Sequence, residues 1–297
     1  MTEPTRGFLY TVTAFLIWGL SPIFWKAIVG VPSEELVEHR ILWCGVMLAV
    51  VLTWRRGWGS FGAVLAHRRS VLALVLTTAL IASNWFLYIW AVHHEHILET
   101  SLGYFINPLI SVVLGLVFLG ERLRRWQWAS VAIAALGVLF LALRVGKVPW
   151  IALTLALTFG FYALLRRQMQ ASPEEGLFFE CALLAPFMLL DLGRREMAGT
   201  GAFGHVDATT HLLILGTGVI TFVPLVLFHH GARRLPLSTV GLLQYMAPTG
   251  QFLLAIAVYG EPFETTHLIA FALIWTALAI FTVDARAAWG RARAARG

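Results

Sequence analysis

SLGYFINPLISVVLGLVFLGER, residues 101–122, and GLLQYMAPTGQFLLAIAVYGEP, residues 241–262, are the two stretches on which the reading of this chain turns. Pro108 lies inside the first and Gly120-Glu121 closes it; Pro248 lies inside the second and Gly260-Glu261 closes it. All three landmarks recur at an offset of 140 residues, without a gap. Both stretches are apolar enough to sit in a lipid bilayer. Internal duplication in a polytopic chain is the sequence trace of secondary carriers, whose halves rock about a site between them.

Composition points to the same solvent. Apolar residues make up 59% and charged residues 13% of the 297, and the mean hydropathy is +0.76. An ordinary soluble domain is about 25% charged, so a surface facing water cannot be assembled from this sequence. The excess of 22 Lys and Arg over 16 Asp and Glu lies in short loops and the tail, not on one face, which argues against nucleic acid as a partner. Cys44 and Cys181 sit inside apolar segments and match neither a metal spacing nor a disulfide framework. The first apolar run, 8–28, is too long for the core of a cleavable leader and reads as a spanning helix.

Ten stretches meet the roughly 20-residue requirement for a span or approach it: 8–28, 36–54, 71–92, 99–119, 126–143, 149–165, 177–192, 211–231, 238–259 and 267–285. With the N-terminus inside, the inner segments hold sixteen Lys and Arg. The outer loops hold four, Arg144, Lys147, Arg194 and Arg195. This bias orients both termini toward the cytoplasm. Five spans per half is an odd number, so the second copy enters from the opposite side. Other landmarks repeat as well. Trp18-Gly19 with Lys26 answers Phe159-Gly160 with Arg167, and Glu34-Glu35 after Pro32 answers Glu174-Glu175 after Pro173. The expected fold is an all-α polytopic membrane protein: ten transmembrane helices as two inverted five-helix repeats, 1–145 and 146–297, around a central cavity. The second repeat carries a basic cytoplasmic tail.

Ionisable groups inside spans cost about 2.5–3.5 kcal/mol each, so each needs a reason. Lys26 late in span one, and His39 and Arg40 one turn into span two, form a cationic set suited to an anionic or zwitterionic solute; Glu38 or His39 is able to carry a coupling proton. Snorkelling is the competing role for Lys26. Asn84 and Tyr88 on span three are i, i+4 and share a face, and Trp90 follows. Their competing roles are interhelical hydrogen bonding and the interfacial belt. On span four Tyr104 and Asn107 flank Pro108, which frees the carbonyl of Tyr104; Gln244 and Tyr245 take the corresponding place before Pro248. The run His93-His94-Glu95-His96 has metal-ligand composition, but it lies in a short outer loop and is not assigned a metal. His229-His230, near the inner end of span eight, reads as interfacial. No phosphate-binding loop, nucleophile elbow or zincin helix is present, so no catalytic residue and no cofactor are assigned.

The stretches AFLIWGLSP (14–22), Glu38-His39-Arg40, NWFLYIWA (84–91) and SLGYFINP (101–108) with Leu119-Gly120-Glu121-Arg122 resemble the EamA family of the drug/metabolite transporter superfamily, and within it the RarD-like branch. The likeness runs from about 7 to 285. It implies a ten-helix carrier of the bacterial inner membrane whose spans one, three, four, six, eight and nine largely line the cavity, which adds Tyr162 on span six to the candidates. It also implies that Glu121 and Glu261 close structural turns. The substrate-binding set is therefore Lys26, His39, Arg40, Asn84, Tyr88, Trp90, Tyr104, Asn107, Tyr162, Gln244 and Tyr245. The expected function is secondary export of small amphipathic metabolites or drugs, such as amino-acid-like compounds, by alternating access. A lipid-handling flippase or a membrane-embedded enzyme is the alternative.

Overall fold

A computed structural model describes residues 2–93, 96–145, 149–260 and 265–294. Glu261, at the end of the second repeated stretch, and His94 and Glu95 of the histidine run lie outside the described residues. Twelve α-helices and no strands are found among the described residues: α1 (Glu3–Lys26), α2 (Ser33–Trp54), α3 (Trp58–Leu65), α4 (Arg68–His93), α5 (Ile97–Leu119), α6 (Arg125–Val145), α7 (Trp150–Gln168), α8 (Pro173–Met197), α9 (Ala208–Ala232), α10 (Leu237–Gln244), α11 (Met246–Ala257) and α12 (Thr265–Ala294). Seven of them, α1, α2, α4, α5, α6, α8 and α9, contain stretches long and apolar enough to cross a bilayer.

Helix starts follow the 140-residue offset. Ser33 and Pro173 open α2 and α8, Arg68 and Ala208 open α4 and α9, Ile97 and Leu237 open α5 and α10, and Arg125 and Thr265 open α6 and α12. Gly120 and Gly260 both adopt a φ of 62°, the left-handed conformation that ends a helix and that glycine adopts without steric cost. The contacts obey the same relation. Helix α2 packs on α8, α6 on α12 and α5 on α10; α1 packs on α9 and on α11, as α7 packs on α4 and on α5.

Two local features depart from the sequence expectation. The ninth span is not one helix but two, α10 and α11, parted at Tyr245. Pro248 supplies no N–H and its ring crowds the carbonyl four residues back, that of Gln244, where α10 ends. Pro108 sits instead within an unbroken α5. The loop after span two also contains a short helix, α3, whose Trp58 and Phe61 rings meet Phe178 of α8 edge-on at 5.2 and 5.4 Å.

The main core gathers Phe15 of α1, Phe105 and Ile106 of α5, Phe228 of α9, Tyr245 and Phe271 of α12. Close helix approach relies on small residues, as is usual between helices in lipid. A Cβ on Gly250 would stand 3.0 Å from the Cα of Gly19. Gly250→Val is therefore expected to separate α1 from α11 and to cost about 1–3 kcal/mol. A melting curve of the detergent-purified variant checks this; an unchanged midpoint would show that the helices relax freely.

Candidate functional site

Arg40, on the second turn of α2, is the centre of the most distinctive group. Its guanidinium faces two indoles, with the carbon of the fork 4.9 Å from the Trp85 ring of α4 and 5.6 Å from the Trp25 ring of α1. The Tyr88 and Tyr104 phenols are within electrostatic range and meet each other edge-on at 6.0 Å. No carboxylate pairs with Arg40 among the described residues, and its Nε is buried without a hydrogen-bond partner. Tyr88 and Tyr104 keep 38% and 49% of their surface open, so they do not fill core. A planar cation held by two aromatic faces, with its donors free, suits a carboxylate or another flat anion.

His39 is adjacent to Arg40 in sequence but faces other neighbours. Successive helix residues point about 100° apart, and His39 turns toward Glu35 (3.6 Å) and the Phe203 ring (5.0 Å). Glu35 in turn accepts the backbone N–H groups of Ala202 (2.9 Å) and Phe203 (3.2 Å). This pair anchors the loop between α8 and α9, which is thereby fixed to the bundle. Lys26 lies over the ring of Tyr259 with Nζ 3.5 Å from its centroid.

The amides and remaining aromatics are placed as follows. Asn84 donates both amide hydrogens to α7, to the Leu155 carbonyl and to Thr158 Oγ1, each at 2.8 Å; in this conformation it joins two helices. Asn84→Leu is expected to lower stability by about 1 kcal/mol and to leave ligand binding at Arg40 intact, as paired melting curves with and without ligand would show. Trp90 stacks on His96 (5.8 Å) and tilts against Trp150 (6.0 Å). Tyr245 is fully buried and donates to the Phe105 carbonyl at 3.1 Å. Those two residues are themselves 140 positions apart. Asn107 and Gln244 are buried with carbonyl oxygens Oδ1 and Oε1 that accept nothing. Among the described residues no three His, Cys, Asp or Glu side chains converge as metal ligands.

Glu121 behaves as the family likeness implies. It accepts from Leu237 N–H (2.5 Å), Ser238 N–H (2.9 Å) and Ser238 Oγ (2.6 Å), and pairs with Arg167 at 3.2 Å. A carboxylate at the start of α10 meets the positive end of the helix dipole.

Sequence reasoning did not assemble a second polar group, of which it had named Tyr162 alone, as a substrate-binding candidate; Tyr162 is fully buried within it. Glu180 of α8 accepts from Thr77 Oγ1 (2.8 Å) and Tyr162 OH (2.9 Å). Arg166 Nε lies 3.5 Å away, and His229 Nε2 is 3.0 Å from Tyr162 OH. All of these side chains are buried, so His229 is not interfacial as its position suggested. The signal was available: Glu180 is the residue 140 positions after Arg40.

A bundle of apolar, duplicated helices around a cationic and aromatic wall is the architecture of a multi-pass membrane transporter. The sequence matches the EamA-like transporter family over residues 5–143 and again over 147–283, and the chain belongs to that family. It is 42% identical to an uncharacterized transporter of Vibrio cholerae over 294 residues, 99% of this chain and 97% of that one. It is 40% identical to protein RarD of Escherichia coli over 283 residues, 95% and 96% of the two chains. A chloramphenicol-sensitive protein RarD of Pseudomonas aeruginosa is 31% identical over 278 residues, 92% of each. A crystal structure superposes with a TM-score of 0.73 at 22% identity, covering 95% of this chain and 98% of the other, a likeness of fold.

Proposed function

We propose that the protein is a secondary transporter that exports small amphipathic metabolites or drugs, amino-acid-like compounds foremost, by alternating access. The observation that carries this reading is Arg40, a cation between two indoles that pairs with no carboxylate among the described residues. A charge inside the bundle costs several kcal/mol unless something pairs with it. A carboxylate-bearing solute supplies that pair, while Trp25, Trp85, Tyr88 and Tyr104 offer its apolar part a wall. Lys26, Asn107 and Gln244 extend the binding set: two buried amide oxygens without donors are suited to an ammonium or hydroxyl group.

The rocking element in this proposal is a pair of inverted five-helix halves, 1–145 and 146–297, with ten spans in the cytoplasmic membrane and both termini inside. The matched helix starts, and the packing of α2, α5 and α6 on their own counterparts, are what a two-fold axis between halves produces. An odd number of spans per half puts that axis in the membrane plane, so the two end states have similar packing and similar energy.

The test is a thermal-shift screen of purified protein against amino acids, nucleosides and chloramphenicol between pH 5 and 8. A ligand that binds only folded protein raises its melting point by mass action. A hit that carries a carboxylate supports the reading. Silence across the panel, with a shift on adding anionic phospholipid, would favour a lipid substrate.

A further inference from the structure

We propose that Glu180 is the proton-binding site that drives transport, with Tyr162 and His229 as its relay and Arg166 as the ion that senses its charge. This rests on the transporter reading above and adds to it the coupling ion and its residue.

The cluster joins four helices: Thr77 of α4, Tyr162 and Arg166 of α7, Glu180 of α8 and His229 of α9. Relative exposures of Tyr162, Arg166, Glu180 and His229 are 0, 1, 2 and 2%. The hydrogen bonds form a chain that can be drawn in two ways. With Glu180 ionised, Tyr162 donates to Oε2 and His229 donates from Nε2 to the phenol oxygen, leaving Nδ1 as a bare acceptor. With Glu180 protonated, the carboxyl donates to Tyr162, Tyr162 donates to His229 Nε2, and the His229 proton sits on Nδ1. One proton added at one end thus reverses each bond without moving a heavy atom. His229 Nδ1 is buried and has no hydrogen-bond partner among the described residues, so that end of the chain is unpaired in either arrangement.

Arg166 gives the cluster a reason to respond. Its Nη2 donates to the Pro173 carbonyl at 2.8 Å, but Nε and Nη1 have no hydrogen-bond partner. Among the described residues its one ion pair is with Glu180, at 3.5 Å. Protonating Glu180 removes that charge and leaves a buried guanidinium alone, which is costly unless water reaches it. The closed half of the bundle is then the strained one, and opening it hydrates Arg166. Glu180 loses its proton to that side, and re-pairing with Arg166 closes the bundle again.

The other charged or titratable groups in contact do not supply this function. On α8, Glu174 pairs with Arg55 (2.7 Å) and His230 (3.2 Å), and Glu175 caps its own helix and meets Ser60. On α9, Arg233 donates to the Ala171 and Met169 carbonyls. Cys181 of α8 and Cys44 of α2 are buried in one apolar cluster where those helices pack. The 140-residue relation gives Glu180 and Arg40 equivalent places in the two halves. When one lines open space the other is sealed, so the solute site and the proton site alternate in exposure.

The experiment uses Cys181, next to Glu180, as a reporter in a Cys44→Ala background. N-ethylmaleimide labelling in inside-out membrane vesicles is followed from pH 8.5 to 5.5, each rate divided by that of unfolded protein at the same pH. The expected result is labelling that rises about tenfold as pH falls. It should be high and flat in Glu180→Gln and still pH-responsive in Glu180→Asp. A pH response that survives in Glu180→Gln, or flat labelling in the Cys44→Ala parent, overturns the proposal. Should Glu180→Gln fail to reach the membrane, Tyr162→Phe decides. It removes one hydrogen bond to the carboxylate and should move the midpoint by about half a pH unit or more; an unmoved midpoint overturns the relay. No transported compound is needed. A ligand screen without hits beside intact labelling would therefore remove the substrate class and leave the proton site standing.

Discussion

Arg40→Ala is expected to abolish the ligand-induced rise in melting temperature while leaving the ligand-free protein as stable as the parent, or more so. Two opposed terms set that sign. The substitution loses two guanidinium–indole contacts, at 4.9 and 5.6 Å, worth about 0.5–1 kcal/mol each. It also removes a desolvated charge that has no carboxylate partner among the described residues, and whose burial costs several kcal/mol. The second term is larger, so the empty protein gains. The bound state loses its ionic pair, about 2–5 kcal/mol, or roughly 30-fold or more in affinity. Arg40→Lys should recover part of the binding, because an ammonium keeps the charge but not the flat fork. Paired melting curves with and without the best ligand from the screen read both quantities. A ligand-free variant that melts well below the parent would make Arg40 a structural residue and sink the proposed role.

Glu121→Ala is expected to be the most destabilising single change, at about 3 kcal/mol or more. Its carboxylate satisfies the first two N–H groups of α10, and Leu237 and Ser238 are both buried. Without it those donors have no solvent to turn to, and each buried unsatisfied group costs about 1–3 kcal/mol. The Arg167 contact and the dipole interaction are lost with it. Glu121→Gln keeps an acceptor and should cost about half as much. Gly115→Ala should act in the same direction, since a Cβ there would stand 2.7 Å from Glu121 Oε2 and push the carboxylate off the helix end. Denaturation of the three purified proteins in one detergent ranks them; an Ala variant within about 0.5 kcal/mol of the parent would remove Glu121 from this role.

The helices were legible because each property that defines them is local. Apolar length marks a span, Pro and Gly mark its breaks, and the bounds of α2, α4, α5 and α6 lie within three residues of the expected spans. Arg40 was legible for a similar reason: a charge followed by Ile41-Leu42-Trp43 has to be explained by what surrounds it. Its partners were less so. Trp25 and Trp85 read as two among 12 tryptophans, and only the meeting of α1, α2 and α4 turns them toward one cation.

The division follows from the range of the forces involved. By itself the sequence determined the apolar solvent, the duplication, the bounds of α2, α4, α5 and α6 and the presence of Arg40 within an apolar helix, because hydropathy and chain chemistry are summed along neighbouring residues. Tertiary structure alone decided that His39 faces Glu35 and a loop while Arg40 faces tryptophans, that Asn84 is spent on α7, and that α10 stops where Pro248 crowds Gln244 while α5 runs on past Pro108. It alone joined Thr77, Tyr162, Arg166, Glu180 and His229, which span more than 150 positions of chain, into one hydrogen-bonded cluster. A buried polar group needs a partner from whichever helix lies alongside, and which helix that is depends on how the two halves pack together.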